Sequence, residues 1–445
     1  MNIEYRTLNN EYRSIRRRIS FVVILMFMVI NAPVFAQGTE RIIDRPEELE
    51  ILDTYFQMAV EENPELASLK AQIEAQNERI PQVSTLPEPE ISASYFINPT
   101  NDAAFFGRFS VSAMQMLPWF GTLNARGNVQ EQISEAMGHS LDQRQLAIFS
   151  EIQDLWFTYY KLNHHVHVNR EILQLVRDLE QQVESRYETG GTGQADLLRL
   201  QMEEQRLLNR IEQLEDGKNP VREQFNALLN REPDEPVSVP HHLPERKLPW
   251  TKEELYEFAQ NLNPEFLELE ARERQFEQEM KLAKLEGRPS IGLGLEYMGR
   301  DFGFMNMMPD MNENFFGMAT IRIPIYRGKY RAQQREAQLQ LRANDAMQTE
   351  LSNRFRTELE KAMKDFRDTE REYGLITEEL LPRSEQVLDI LLDEYTTGRA
   401  DFTELISAFR ELLSLENELV ETLSKQNETM ANIEQIIAAE LNNHK

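Results

Sequence analysis

Apolar residues recur at alternating steps of about three and four along much of the chain, and this spacing predicts long amphipathic helices. A first stretch over 121–188 contains no proline, so it can form roughly 100 Å of uninterrupted helix at 1.5 Å per residue. A matching stretch over 328–396 contains Pro382, which should kink the helix locally. Shorter amphipathic helices are predicted at 195–230 and 401–441. Narrow apolar seams with wide polar faces are typical of extended or hollow coiled-coil assemblies.

Four short segments alternate apolar and polar residues with a period of two, which predicts half-buried strands. In the first of them, Ile91, Ala93 and Tyr95 share one face, while Ser92 and Ser94 share the other. The strands are about as long as a tilted strand needs to be to cross a bilayer. A soluble antiparallel sheet with one wet face explains the alternation equally well. The predicted strands span about 89–97, 106–117, 289–300 and 315–326.

The same order of elements occurs twice along the chain. The segment "ENPELASLKAQIEA" at 62–75 matches "LNPEFLELEARERQ" at 262–275, and a Tyr-x-x-Gly turn follows each longest helix, at Tyr187 and at Tyr395. Each copy therefore contains a helix, a β-hairpin and a long helical hairpin. The predicted organisation is a first repeat at 37–230, a proline-rich linker at 231–250 and a second repeat at 251–445.

The N-terminal segment has the pattern of a secretory signal. Arginines precede the apolar run "ISFVVILMFMVI" at 19–30, and small residues in "VFA" at 34–36 mark a cleavage site. We expect removal of 1–36, although an uncleaved anchor is the alternative. The apolar run is short for a membrane span. No comparable run follows, so a membrane role would have to use the strands.

Composition narrows the choice of partners. The 445-residue chain has 28% charged residues, no cysteine and a formal charge of −27. This acidic balance argues against nucleic acid, which attracts basic surfaces. It is compatible with the handling of cations, although a solvated acidic surface is the simpler explanation. No spacing of a nucleophile and a base stands out, so we do not expect an enzyme or a cofactor.

Several longer motifs carry a family resemblance. They are "LPWFGTLNARG", "IPIYRGKYRAQQREA", "YETGGTGQADLLRLQ" and "YTTGRADFTELISAFRELLSLENEL", in addition to the paired "NPEL" and "NPEF". With these motifs the chain resembles the TolC family of outer-membrane efflux proteins over nearly its whole mature length. It is most similar to the branch that contains the CusC- and CzcC-type proteins of heavy-metal efflux pumps.

Four strands are too few to close a membrane barrel, since the smallest have about eight. An open sheet edge in lipid would leave backbone groups unpaired, so several chains must contribute if the strands lie in a membrane. The strand count leaves two, three and four chains open, and the resemblance implies three. The implied fold is mainly α with a membrane β-barrel. In it, a homotrimer forms a twelve-stranded β-barrel in the outer membrane and a twelve-helix α-barrel in the periplasm.

The resemblance also implies a function. The protein would be a passive exit duct in the outer-membrane lipid of a Gram-negative bacterium, extending into the periplasm. It would work with a periplasmic adaptor (membrane fusion) protein and an inner-membrane pump of the RND type. Its expected cargo is heavy-metal cations such as Cu/Ag or Co/Zn/Cd. The alternatives are a drug-efflux or type I secretion duct of the same fold, or a soluble periplasmic coiled-coil scaffold. Some metal-efflux relatives carry a lipid on an N-terminal cysteine, which this chain lacks.

The two turns contain the candidate entrance of this duct. Asp196 follows Tyr187 by nine residues, and Glu404 follows Tyr395 by nine. In the family, an acidic residue at this position often lines the closed periplasmic entrance, where a ring of carboxylates concentrates cations. Helix capping is the competing explanation, strongest for Asp401 as an N-cap with Glu404 completing a capping box. The candidate entrance residues are Tyr187, Asp196, Tyr395, Arg399, Asp401 and Glu404.

Glycines should allow the turns to adopt positive φ. Gly190, Gly191 and Gly193 serve the first turn, and Gly398 serves the second. They do not form a phosphate-binding loop, because no Gly-Lys-Ser/Thr follows. By family resemblance, these turns are the expected docking surface for the adaptor.

Two groups of residues are candidate metal contacts. Met305, Met307, Met308 and Met311 cluster in the second hairpin loop, and thioether sulfur suits Cu(I) or Ag(I). A flexible apolar loop is the plainer interpretation. His164 and His167 share a helix face, although an interfacial polar patch explains them as well.

Overall fold

A computed structural model describes residues 46–95, 109–188, 190, 193–299, 314–397 and 399–439. All of these belong to one compact unit, Arg45–Leu441. The predicted signal sequence and the methionine-rich loop fall outside the described residues. Helices dominate, and a single sheet holds the strands. Among the described helices, none combines the length and the apolar composition that a membrane span requires.

Two successive sets of elements follow the same order. The first set contains α1 (Glu50–Glu62), α2 (Pro64–Asn77), α3 (Arg79–Ser84), β1 (Glu90–Tyr95), β2 (Phe109–Leu117), α4 (Thr122–Glu188) and α5 (Gln194–Leu228). The second set contains α6 (Lys252–Leu262), α7 (Pro264–Glu286), β3 (Ser290–Gly299), β4 (Asn314–Arg322), α8 (Arg327–Leu375), a π-helical turn (Ile376–Leu380), α9 (Leu381–Thr396) and α10 (Phe402–Ile436).

The repeated Asn-Pro-Glu sequence has the same structural role in both sets. Asn63 and Asn263 are N-caps whose side-chain oxygens accept hydrogen bonds from the first turn of α2 and of α7, while proline occupies the first helical position. The side-chain nitrogen of Asn63 also donates to Leu228 O at the end of α5, over 2.8 Å. That of Asn263 donates to Ile436 O at the end of α10, over 2.9 Å. Each asparagine thereby ties the entry of its set to the end of the returning long helix.

Pro382 does not simply bend one long helix. The π-helical turn Ile376–Leu380 precedes it, and the Leu381 N–H donates to Ile376 O, five residues earlier. Proline in a regular helix clashes with the carbonyl four residues before it. A wider turn at this place relieves that clash, so the predicted local disturbance takes the form of a π turn.

The four strands form one antiparallel sheet in the order β1-β2-β3-β4. Ile91 pairs with Ala113, which pairs with Leu295, so the apolar residues of neighbouring strands share one face. This face is open in the single chain, where Leu295 is 68% exposed and Phe315 is 76% exposed. A large exposed apolar surface of this kind marks a contact with another chain or with lipid.

Two hydrophobic clusters stabilise the helices. The first joins α1, α4, the end of α5 and the linker, and its largest buried side chains include Trp156, Phe157 and Phe225. The second lies between the two long helical hairpins and includes Val183 of α4, Leu388 of α9 and Phe402 of α10. The apolar seams predicted from the heptad spacing therefore pack against each other.

The proline-rich linker contains no regular helix or strand and packs against α4 and α10. Trp156 donates its indole N–H to Ser238 O over 2.8 Å, and the Leu243 N–H donates to the Tyr160 hydroxyl over 3.2 Å. Arg246 forms a buried ion pair with Glu434. The bonds at Ser238 and Leu243 satisfy linker backbone groups that pair with no strand.

Candidate functional site

The two turns at the ends of the long helical hairpins, between α4 and α5 and between α9 and α10, are called the first tip and the second tip. Their tyrosines differ in exposure, because Tyr187 is 41% exposed and Tyr395 is 5% exposed. Tyr395 contacts Phe402 with 6.0 Å between ring centroids. The sequence places both tyrosines at equivalent positions, but the structure gives them different surroundings.

Arg186 connects the two tips. Its guanidinium lies over the Tyr395 ring, 4.9 Å from the centroid, and its Nη1 donates a hydrogen bond to the Tyr395 carbonyl oxygen. A cation over an aromatic face is attracted to the ring quadrupole, more strongly where water is excluded. The first tip thus contributes the residue that covers the tyrosine of the second tip.

Asp196 and Glu404 each lie in the first turn of a helix. Asp196 is half-buried in α5, with Oδ1 3.7 Å from Arg199 Nη1. The same Arg199 nitrogen donates to Thr403 Oγ1 in α10 over 3.3 Å, next to the exposed Glu404. Arg199 therefore bridges the two helix starts that carry these carboxylates, and its charge offsets part of theirs.

The capping-box interpretation of Asp401 is wrong. Asp401 does occupy the N-cap position of α10, but its side chain makes no capping hydrogen bond. The Glu404 N–H donates to the Asp401 carbonyl oxygen over 3.2 Å. Both carboxylates are exposed and accessible to solvent. Arg399, also exposed, donates its side-chain Nε–H to Thr397 Oγ1 over 3.0 Å, and its backbone N–H donates to Glu394 O over 2.8 Å.

The expectation of positive φ holds for one described tip glycine and fails for another. Gly190 has φ 77°, a backbone conformation that favours glycine. Gly193 has φ −86° and ψ 150°, and it is the N-cap of α5. The prediction is wrong for Gly193 because its extended conformation suits a cap and is open to any residue. Gly191 and Gly398 lie outside the described residues.

A second contact between the two helical hairpins joins α5 and α10, further from the tips. Glu203 of α5 binds Arg410 of α10, with 2.7 Å between Oε2 and Nη2, and also binds Arg206 at 3.2 Å. The hydrogen bond from Arg410 lowers the pKa of Glu203. No sequence motif had singled out Arg186, Glu203 or Arg410, since each acts across a separation of more than 200 residues.

His164 and His167, the two histidines predicted to share a helix face, lie in different surroundings. His164 stacks near Tyr160, with centroids 4.2 Å apart, and burial lowers its pKa. His167 is exposed, and its Nε2 lies 3.3 Å from Glu171 Oε1. Between them, His165 is buried, with Nδ1 2.5 Å from Asn417 Oδ1 and Nε2 2.9 Å from Glu421 Oε1. In the described part of the chain, no three histidine, aspartate or glutamate side chains group as metal ligands. Met305, Met307, Met308 and Met311 fall outside it.

Comparison with known proteins connects this architecture to one family. Residues 55–229 match the model of the outer membrane efflux protein family. None of the curated proteins matches the sequence. Among solved structures, the outer membrane protein VceC of Vibrio cholerae superposes with a TM-score of 0.72 at 14% identity, covering 87% of this chain and 96% of that one. CusC gives a TM-score of 0.72 at 15% identity, covering 87% and 91%.

The outer-membrane channel OprN gives a TM-score of 0.70 at 18% identity, covering 90% of this chain and 95% of that one. At these identities the likeness shows the fold, and the family model adds a sequence match over residues 55–229. The resemblance seen in the sequence is thereby confirmed. The chain has the fold of the solved outer-membrane channels, and its residues 55–229 are similar to the outer membrane efflux protein family.

Proposed function

We propose that this outer-membrane channel is the exit duct of a tripartite efflux pump and that it carries heavy-metal cations. The proposal rests on the open state of the β-sheet in the single chain. Within the described chain its apolar face is open and its outer strands, β1 and β4, each pair on one side only. Three copies would close twelve strands into one barrel, and the long helices of three copies would continue it as an α-barrel through the periplasm.

Assembly is the first part of the proposal to test. Leu295→Lys would place a charge in the centre of the lipid-facing band, which costs about 2–4 kcal/mol in an outer-membrane barrel. Thr320→Lys, on the opposite face of the neighbouring strand, is the matched control. We expect native mass measurements in detergent to give a trimer for the wild type and for Thr320→Lys, and a reduced trimer fraction for Leu295→Lys. A monomeric wild-type channel would contradict the proposal.

The tips form the proposed entrance and the docking surface for a periplasmic adaptor. Three copies of Asp196 and Glu404 around a narrow opening would attract cations and repel anions. We expect Asp196→Ala with Glu404→Ala to lower the cation preference of reconstituted channels. Asp389→Ala, an exposed carboxylate on α9 away from the tip, should leave the preference unchanged. An unchanged preference in the double variant would remove these residues from the entrance.

The proposal of a heavy-metal cargo rests on the resemblance to the heavy-metal branch and on the formal charge of −27. The test is expression with the cognate adaptor and RND-type pump in cells lacking their own channels. We expect greater tolerance of copper and silver, or of cobalt, zinc and cadmium, and a lower cellular metal content. Drug tolerance without metal tolerance would favour the drug duct of the same fold.

A further inference from the structure

The face of the sheet opposite the apolar one carries all the methionines of the described strands. The register places Met114 and Met318 on either side of Gly294, and Met116 beside Gly292. Directly paired residues project to the same side of a sheet. Met298 occupies this face as well, four residues along β3 from Gly294.

Aliphatic side chains are segregated from these methionines. The strand residues Ile91, Ile291, Leu293, Leu295 and Ile321 all project from the opposite face, as the pairing shows. A methionine used only as an apolar filler would be expected among them. Here the thioethers instead share a face with mostly polar residues, Phe316 being the aromatic exception, which points to a use of the sulfur itself.

Glycines create the space in which the sulfur atoms lie. A Cβ added at Gly292 would be 2.7 Å from the Met116 sulfur and 3.4 Å from the Met114 sulfur. Both thioethers therefore lie across the same strand position and converge above it. The three methionine side chains Met114, Met116 and Met318 are half-buried, so their sulfur atoms are partly shielded from water.

Charged groups of both signs lie near the methionine side chains. Glu90 of β1 pairs directly with Met114, and Glu296 lies two residues from Gly294 along β3, on the same face. Arg322, at the end of β4, is a positive charge on this face, and the cavity that contains Met116 is also lined by Arg126, Arg288 and Lys329. The preference for an ion therefore rests on the thioether sulfur, which discriminates in favour of soft ions, and not on the local charge.

We propose that Met114, Met116 and Met318 form a binding site for a soft monovalent cation, Cu(I) or Ag(I), on the inner face of the sheet. The choice of ion rests on the proposed metal cargo. The three methionines come from β2 and β4 of one chain, so the site requires no residue from another copy. Ligand exchange among neutral thioethers gives a site that can take up and release the ion during transport.

The binding test uses the purified full-length channel in detergent and chloride-free buffer, titrated calorimetrically with Ag⁺. We expect one saturable site per chain and at least a tenfold weaker affinity in the variant Met114→Leu/Met116→Leu/Met318→Leu. The matched control is Met202→Leu/Met347→Leu, since these helical methionines are 56% and 58% exposed. The titrations are repeated in a background in which Met305, Met307, Met308 and Met311 are leucine, so that these candidate ligands do not contribute to the measured binding. We call Met114→Leu/Met116→Leu/Met318→Leu the strand variant. An unchanged Ag⁺ affinity in the strand variant would contradict the proposed site.

Gly292→Ala provides a test that retains every methionine. The added methyl group would displace the Met116 sulfur, so silver binding should weaken at least tenfold while the trimer persists. X-ray absorption of the Cu(I)-loaded channel should show sulfur neighbours that are lost in the strand variant, and a first shell of only nitrogen and oxygen would reject the site. If Ag⁺ binds at these sulfur atoms but the channel gives cells no metal tolerance, the binding site is supported and the proposed metal cargo is rejected.

Discussion

The first and second tips share a Tyr-x-x-Gly sequence but hold their tyrosines in opposite ways. Tyr187 is exposed at the first tip, whereas Tyr395 is buried at the second, beneath Arg186. The arginine that covers it is the neighbour of Tyr187 in the chain. Arg186 of the first tip therefore stabilises the second tip. The two copies of the turn sequence have different structural roles. Replacing matched residues in the two tips tests this difference directly.

The largest expected effect comes from removing each tyrosine in turn. Tyr395→Ala deletes a buried aromatic ring, which typically costs about 3 kcal/mol or more. Tyr187→Ala acts at an exposed site and should cost less than about 0.5 kcal/mol. Hydrogen exchange of the amides at 388–406 should accelerate strongly in Tyr395→Ala and barely in Tyr187→Ala. Equal effects of the two substitutions would show that the tips are equivalent.

Arg186→Ala should loosen the second tip although the substitution lies in the first. Loss of the cation–π contact and of the hydrogen bond to the Tyr395 carbonyl should cost about 1–3 kcal/mol. Arg177→Ala is the control, because Arg177 binds Glu204 within the first hairpin. We expect faster exchange at 388–406 and greater open-channel conductance for Arg186→Ala only. Acceleration confined to the first tip would contradict a link between the tips.

The glycines of the first tip provide a smaller contrast. Gly190→Ala forces a side chain into positive φ and should cost about 1 kcal/mol. Gly193→Ala changes an extended N-cap, where the loss should be roughly 0.5 kcal/mol or less. The rate of proteolytic cleavage in the turn should rise more in Gly190→Ala. Similar cleavage of the two variants would show that positive φ at Gly190 does not determine the turn.

The smallest expected effect concerns pH. Because Arg410 lowers the pKa of Glu203 in the folded protein, this pair stabilises the hairpin contact above the ordinary glutamate pKa. The contribution is lost as pH falls through the lowered value. Acidification should therefore accelerate exchange at 200–210, whereas Glu203→Gln should be less sensitive to acid. Glu212→Gln, an exposed site on the same helix, is the control, and an unchanged acid response in Glu203→Gln would exclude this pair.

Much of the fold is readable from local pattern, since heptad spacing and period-two alternation record which side of each element is covered. The capping bonds of the Asn-Pro-Glu sequences likewise join groups only two or three residues apart. Contacts such as Arg186 with Tyr395 join the two sets of elements across 209 residues, and no local pattern encodes them. The Asp401 side chain illustrates the same limit, because a correct N-cap position did not determine its hydrogen bonds.

The π turn has a consequence for the lengths of the two sets. Gly121 immediately precedes α4, and Gly328 is the second residue of α8. Tyr187 lies 66 residues after Gly121, and Tyr395 lies 67 residues after Gly328. A turn closed by a bond to the fifth preceding residue holds one residue more than an α-helical turn. The π turn at Ile376–Leu380 can therefore absorb the extra residue without lengthening its helix by another step. The π turn takes up this residue locally, and Arg186 of the first tip reaches Tyr395 of the second.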